Sequence, residues 1–85
     1  VNCAVAASSS EVCRVEGPFV SSPQISTGGG DHFNAGFCLG AVLGLDLEQS
    51  LCLGVATSGH YVRTAEAPTV AQLCAFLEAW RKEDV

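Results

Sequence analysis

Three consecutive glycines, Gly28 to Gly30, lead directly into Asp31 and then into a stretch whose apolar residues have helical spacing. Glycine allows the backbone to turn sharply and lets a ligand approach it closely. A helix that begins at the end of this run leaves unpaired N–H groups pointing back into the turn, at the positive end of the helix dipole. Such donors form a site for an anion such as phosphate. Asp31 in the first helical turn could then accept the proton of a hydroxyl group that attacks phosphorus.

The residues around this turn resemble the C-terminal signature of the ribokinase-like (PfkB) carbohydrate kinases, which commonly reads Asp-Thr-x-Gly-Ala-Gly-Asp-x-Phe-x-Ala-Gly-Phe. The matching run here is Ser26-Thr27-Gly28-Gly29-Gly30-Asp31-His32-Phe33-Asn34-Ala35-Gly36-Phe37. Two positions depart from the family pattern. Gly29 stands where alanine is common, and Ile25 stands where the motif opens with an acidic residue.

The resemblance implies ATP-dependent phosphoryl transfer to a hydroxyl of a sugar or a related small molecule, with ATP and Mg²⁺ as cofactors. The residues to which it assigns roles are Asp31 as catalytic base, Gly28, Gly29 and Gly30 as the anion hole, and Thr27 and Thr57 as nucleotide contacts. A packing role within the helix is the alternative for Thr57. His32 could flank nucleotide or substrate, whereas His60 is expected to be a surface residue at a helix C-terminus. Neither histidine has a partner at metal-ligand spacing.

Two other interpretations of the same residues stay open. The chain could be a binding or structural remnant of such a kinase, inactive alone and dependent on a partner. Alternatively, the glycine turn could be a purely architectural connection in a small α/β domain. No Walker A sequence is present, which excludes the P-loop class, and no Asn-x-x-Glu motif is present, which in this family organises Mg²⁺.

Composition narrows the class of partner. The chain has 85 residues and a net charge of −5 with only four Lys and Arg, which argues against nucleic acid and anionic membrane surfaces as partners.

Its five cysteines are odd in number and lack close spacing, so we expect reduced thiols, mostly in the core, and a cytoplasmic protein. Family members are several times longer, and the resemblance therefore implies the C-terminal portion of a kinase.

The predicted fold class is α/β, the C-terminal part of a ribokinase-like three-layer α/β/α fold with short strands followed by three helices. The predicted segments are strands in 1–26, the anion-hole turn and a helix in 27–44, and helices in 46–63 and 69–83. Unpaired strand edges predict self-association, or association with a missing N-terminal part.

Local patterns predict where two helices begin and which residues pack against other elements. Asp46 and Thr69 each precede an apolar periodic stretch and have a glutamine three residues later, which predicts capping boxes. Glycines at 36, 40 and 44 recur every four residues, which predicts close approach of another helix or strand. The predicted apolar face of the last helix consists of Val70, Leu73, Cys74, Leu77 and Trp80.

Overall fold

In the computed structural model, two strands are followed by three helices, which confirms the predicted fold class. The structure describes residues 3–18, 20, 23–25 and 27–83. The elements are β1 (Cys3–Ala7), β2 (Val12–Glu16), α1 (Gly29–Val42), α2 (Leu47–Thr64) and α3 (Val70–Arg81). This mixed α/β arrangement is consistent with a fragment of a ribokinase-like fold.

The two strands form an antiparallel hairpin. Ala4 pairs with Val15 and Ala6 with Cys13, and these four side chains share the face that packs against α2. None of the described residues between β2 and the glycine turn (17, 18, 20 and 23–25) is in a strand. Two of them are Pro18 and Pro23, and proline cannot donate to a ladder.

Helix α2 lies at the centre of the molecule, in contact with the hairpin, α1 and α3. Its Leu51 and Val55 pack with Val15 of β2 in one hydrophobic cluster. Its Ala56 packs with two residues of α3, Leu73 and Phe76, in a second cluster. Contacts on three sides bury residues 54–59 in the middle of this helix.

Glycines allow α1 and α2 to pack at very short distance. A Cβ on Gly36 would lie 2.5 Å from both the Leu53 carbonyl oxygen and Thr57 Oγ1, and one on Gly40 would lie 2.6 Å from Ser50 Oγ. The predicted close approach is therefore confirmed for these two glycines. Gly44 has a different role, because its Cβ would meet open space and its φ of 78° lies in the left-handed region just beyond the end of α1.

Both predicted capping boxes are present. The Asp46 side chain accepts from the Gln49 N–H at 2.7 Å, and the Gln49 side chain accepts from the Asp46 N–H at 3.1 Å. Thr69 and Gln72 exchange the same pair of bonds at the start of α3. The two helices therefore begin where local hydrogen bonding satisfies their first N–H groups.

The predicted apolar face of α3 is confirmed for Leu73, which is in the second cluster, and for Leu77 and Trp80, which pack against it. The prediction is wrong for Val70, which is 76% exposed, and for Cys74, which is exposed, and it lacks the buried Phe76. Gly59 of α2 provides the reason, since a Cβ there would lie 2.8 Å from Phe76 Cζ. The space left by this glycine accepts the Phe76 ring, and α3 is oriented accordingly.

The prediction that most cysteines are core residues is also wrong. Cys3, Cys38 and Cys74 are exposed, Cys13 and Cys52 are half-buried, and all five thiols are free. None of the helices in the described ranges is long and apolar enough to cross a membrane.

Candidate functional site

Helix α1 begins at the glycine turn with unsatisfied backbone donors. Gly28 is the N-cap residue, with φ of 92° and ψ of −2°, and no side chain caps the helix. Among the residues that the structure describes, none accepts a hydrogen bond from the N–H of Gly29, Gly30 or Asp31. These donors and the positive end of the helix dipole are available to an anion.

The three glycines meet different surroundings. Gly28 has a left-handed backbone, and a Cβ on it would lie 3.1 Å from Tyr61 Oη. Gly29 is buried, yet a Cβ would be in ordinary contact with Val62 Cγ1 at 3.4 Å, so alanine fits there as it does in the family signature. Gly30 is exposed, and a Cβ on it would have no atom within 4 Å. Packing therefore explains the glycine at 28 but does not require one at 30.

Asp31 lies in the first turn of α1 and is exposed. Within the described ranges its carboxylate takes part in no salt bridge and accepts no side-chain hydrogen bond. Its position places a free proton acceptor directly after the exposed N–H groups of the turn. The roles of Asp31 as catalytic base and of the turn as anion hole stay predictions.

Two side chains, His32 and Tyr61, are hydrogen-bonded to carbonyl groups of the turn. The sequence pattern indicated His32 as a candidate but not Tyr61. His32 Nδ1 lies 2.8 Å from the Gly28 carbonyl oxygen. The His32 ring is stacked on Tyr61, with ring centroids 3.7 Å apart and an interplanar angle of 11°. Tyr61 Oη donates to the Thr27 carbonyl oxygen at 3.1 Å. Tyr61 lies far along the chain from the turn, and no local pattern pointed to this contact.

Thr27 and Thr57 occupy different places. Thr27 is exposed in the turn itself, beside the glycines. Thr57 is 8% exposed in α2, and its hydroxyl donates to the Leu53 carbonyl oxygen at 2.7 Å. It also lines an open and mainly apolar cleft of about 210 Å³, together with His32, Leu39 and Pro68. His32 thus connects the turn with the cleft that contains Thr57.

The predicted site residues are therefore arranged in two adjacent groups. One is the turn with Thr27, the glycines and Asp31, and the other is the cleft with Thr57. No cluster of three or more His, Cys, Asp or Glu side chains that could hold a metal ion occurs in the described part of the chain. The turn can bind an anionic group through backbone donors and can offer a carboxylate to a nearby hydroxyl.

The glycine turn that follows the hairpin, the helix that begins there with Asp31 in its first turn, and the signature sequence are the features of the ribokinase-like carbohydrate kinase family. A family model described as prokaryotic ketohexokinase matches residues 1–80, and the chain belongs to this family. A ketohexokinase from Haloferax volcanii is 44% identical over 63 residues, which cover 74% of this chain and 17% of that protein. The chain thus spans about a sixth of the length of this curated relative. No solved structure matches the chain.

Proposed function

We propose that this chain provides the phosphoryl-transfer site of a sugar kinase that uses ATP and Mg²⁺ to phosphorylate a hydroxyl group of a ketohexose or a related small molecule. The observation that carries the proposal is the start of α1, where three N–H groups without an acceptor among the described residues adjoin the exposed Asp31 carboxylate. Membership of a ketohexokinase family supports the choice of sugar as the acceptor class.

The backbone of the turn would act on the negative charge of the transferred group. The N–H groups of Gly29, Gly30 and Asp31 converge at the helix N-terminus, where the dipole adds a fixed positive potential. Donors held in place before the reaction stabilise developing charge without reorganisation, and one such donor is worth about 10²–10³ in rate. The open space at Gly30 lets a phosphoryl oxygen approach the backbone.

Asp31 would accept the proton of the attacking hydroxyl. Its carboxylate is exposed and has no charged partner among the described residues, so it is free to face an acceptor that enters from solvent. General base assistance of this kind contributes about 10²–10⁴ in rate. When bound, ATP would supply the phosphoryl group, and Mg²⁺ would neutralise negative charge on the phosphates. We assign no residue of this chain as an Mg²⁺ ligand.

Thr27 and Thr57 are proposed as contacts of the nucleotide. The exposed Thr27 adjoins the anion site, and the mainly apolar cleft beside Thr57 begins one helical turn further along, at His32. A flat base needs apolar walls with few polar groups, and this cleft offers such walls. The hydroxyl hydrogen of Thr57 is used within α2, so its remaining role toward a ligand is that of an acceptor.

A chimera tests the proposal. The 63 residues of this chain that align with the Haloferax volcanii ketohexokinase replace the matching segment of that protein, and phosphorylation of ketohexose is measured. We expect an active chimera, in which Asp31→Asn lowers kcat by about 10²–10⁴ while ATP binding is kept. We also expect Gly30→Ala to weaken ATP binding, because its Cβ would enter the open approach to the turn, with no loss of stability.

Gly29→Ala is the matched control, since the same added methyl group has room and leaves the approach open. Activity of Asp31→Asn within twofold of the parent chimera would contradict the role of Asp31. A folded chimera that binds ATP without turnover would instead favour the binding remnant. Equal ATP affinity of the two alanine variants would favour an architectural turn.

A further inference from the structure

We infer that His32 and Tyr61 are positioning residues that orient the N–H groups of the glycine turn toward the phosphoryl group. This inference rests on the proposed function, because it assumes that the turn binds a phosphate-bearing ligand. We name these two side chains the His32–Tyr61 clamp. The clamp acts through the backbone of Thr27 and Gly28 and makes no direct contact with the reacting atoms.

The clamp binds two successive carbonyl groups. Tyr61 Oη donates to the Thr27 carbonyl oxygen, and His32 Nδ1 is hydrogen-bonded to the Gly28 carbonyl oxygen. In a planar trans peptide the C=O and N–H bonds point in opposite directions. Holding the Thr27 carbonyl therefore fixes the direction of the Gly28 N–H, and holding the Gly28 carbonyl fixes the direction of the Gly29 N–H.

The turn needs such restraint because glycine imposes little of its own. The φ of 92° and ψ of −2° place Gly28 in the left-handed region. Rotation of the peptide plane between Thr27 and Gly28 would reverse the direction of the Gly28 N–H that this plane carries. Glycine populates both signs of φ about equally, so side chains outside the turn must select the state.

Residues in the C-terminal half of α2 hold the turn in this state through hydrogen bonds. Its Val62 carbonyl oxygen accepts from the N–H groups of Gln24, at 2.7 Å, and Ile25, at 3.3 Å. The next residue toward its N-terminus, Tyr61, holds Thr27. The segment that enters the turn and the turn itself are thus both attached to the same end of one buried helix.

The chemistry of His32 fits a fixed orientation. A carbonyl oxygen is an acceptor, so Nδ1 must carry the hydrogen, and the neutral ring is then the Nδ1–H tautomer. Stacking on Tyr61 fixes the plane of the ring in which this hydrogen lies. The His32 backbone N–H also donates to the Gly28 carbonyl oxygen, at 3.1 Å. Two donors from one residue therefore hold this oxygen away from the anion side.

Three variants of the 85-residue chain separate these contributions. Tyr61→Phe keeps the stack and removes the hydroxyl, whereas His32→Phe keeps the stack and removes the Nδ1–H donor. His32→Asn removes the stack but restores an N–H donor at the position of Nδ1. The probe is inorganic pyrophosphate, titrated while the amide signals of residues 28–31 are followed by ¹⁵N–¹H NMR. Thermal melts of every variant are recorded in parallel.

We expect saturable shifts in the wild-type chain and an affinity about three- to tenfold weaker in Tyr61→Phe and in His32→Phe, as one net hydrogen bond predicts. His32→Asn should stay within about twofold of wild type, a rescue that a merely structural role would not produce. Long-range ¹H–¹⁵N spectra of the wild type should show the hydrogen of the neutral His32 ring on Nδ1.

The outcomes distinguish this inference from the proposed function. Saturable binding by the wild type with unchanged affinity in Tyr61→Phe and His32→Phe overturns the clamp and leaves the anion site intact. An Nε2–H tautomer of His32 in the long-range spectra also overturns the clamp. The same holds if the variants lose affinity only in proportion to the folded fraction that they lose in the thermal melts. A wild-type chain whose signals do not respond to pyrophosphate contradicts the anion hole of the proposed function, and the clamp with it.

Discussion

The glycine turn shows how neighbouring residues of one type can have separate physical reasons. Gly28 is required by its left-handed backbone and by the nearness of Tyr61, and Gly29 is buried against α2. Gly30 has neither constraint, since it is exposed and a side chain there would meet no atom. Packing in the described part of the chain therefore gives no reason for the glycine at 30, and the proposed anion site is the explanation that the Gly30→Ala variant tests.

Cysteine reactivity is a prediction at this same scale. Burial raises the pKa of the Cys52 thiol, and the carboxylates of Glu48 and Asp46 raise it further. A raised pKa leaves less thiolate at a given pH, and the thiolate is the nucleophile. We therefore expect iodoacetamide at pH 8 to alkylate the exposed Cys74 at least severalfold faster than Cys52, as measured by peptide mass spectrometry over time.

Denaturant provides the control, because unfolding should bring the two rates together. Increasing the pH should also narrow the difference, as the Cys52 thiol begins to ionise. Equal rates in the native chain at pH 8 would show that Cys52 is neither shielded nor shifted in pKa.

At the scale of elements, α2 organises the molecule. It packs against the hairpin on one side, α1 on another and α3 on a third, and its glycines permit the close approach of α1 and α3. Gly54 accepts the Phe33 ring of α1, since a Cβ there would lie 2.7 Å from Phe33 Cε2. Gly59 accepts Phe76 of α3 in the same way. These contacts set the orientation of α1 and, through it, the direction in which the start of α1 faces.

Gly36→Ala is the prediction that tests this packing. Its methyl group would lie 2.5 Å from the backbone oxygen of Leu53, which cannot move without displacing α2. We expect the free energy of unfolding to fall by about 1–3 kcal/mol, as for other overpacked cores, although alanine favours a helix over glycine. Urea denaturation followed by circular dichroism measures the change.

Gly30→Ala makes the same chemical change in the same helix, in open space, and should be neutral or stabilising. If Gly36→Ala is as stable as Gly30→Ala, then α1 and α2 are not in the close contact described here.

At the scale of the whole molecule, apolar surface remains uncovered by the described residues. Val5 and Val12 are 61% and 72% exposed on the outer face of the hairpin, and Val42 and Leu43 are 84% and 63% exposed at the end of α1. The ketohexokinase of Haloferax volcanii is much longer than this chain. The alignment with this chain covers 17% of its length, and 83% lies outside the alignment. Surfaces of this kind favour association with a further apolar surface.

We therefore expect the 85-residue chain to associate as its concentration rises, which sedimentation velocity measures. Val42→Glu should shift the chain toward monomer by placing a charge in the exposed apolar patch, with little effect on folding stability. Ala71→Glu adds the same charge on an exposed position of α3 and serves as the control. A wild-type chain that stays monomeric at all concentrations would contradict this expectation.

The sequence by itself determined the order of strands and helices, the start of α1, both capping boxes and the family. These features depend on residues that are neighbours in the chain: a turn is set by its own glycines, and a cap by a residue and its third successor. The signature run around Asp31 is also local, which is why the candidate site could be placed before any contact was known.

Only the tertiary structure decided which side chains meet across the fold. The rotation of α3 that buries Phe76 depends on the space at Gly59. The exposure of the cysteines depends on which faces the other elements cover. The hydrogen bond from Tyr61 to Thr27 joins residues 34 positions apart, and the stack with His32 comes from the packing of α1 on α2. Spacing along the chain carries no information on such contacts, because they arise only when separate helices are brought together.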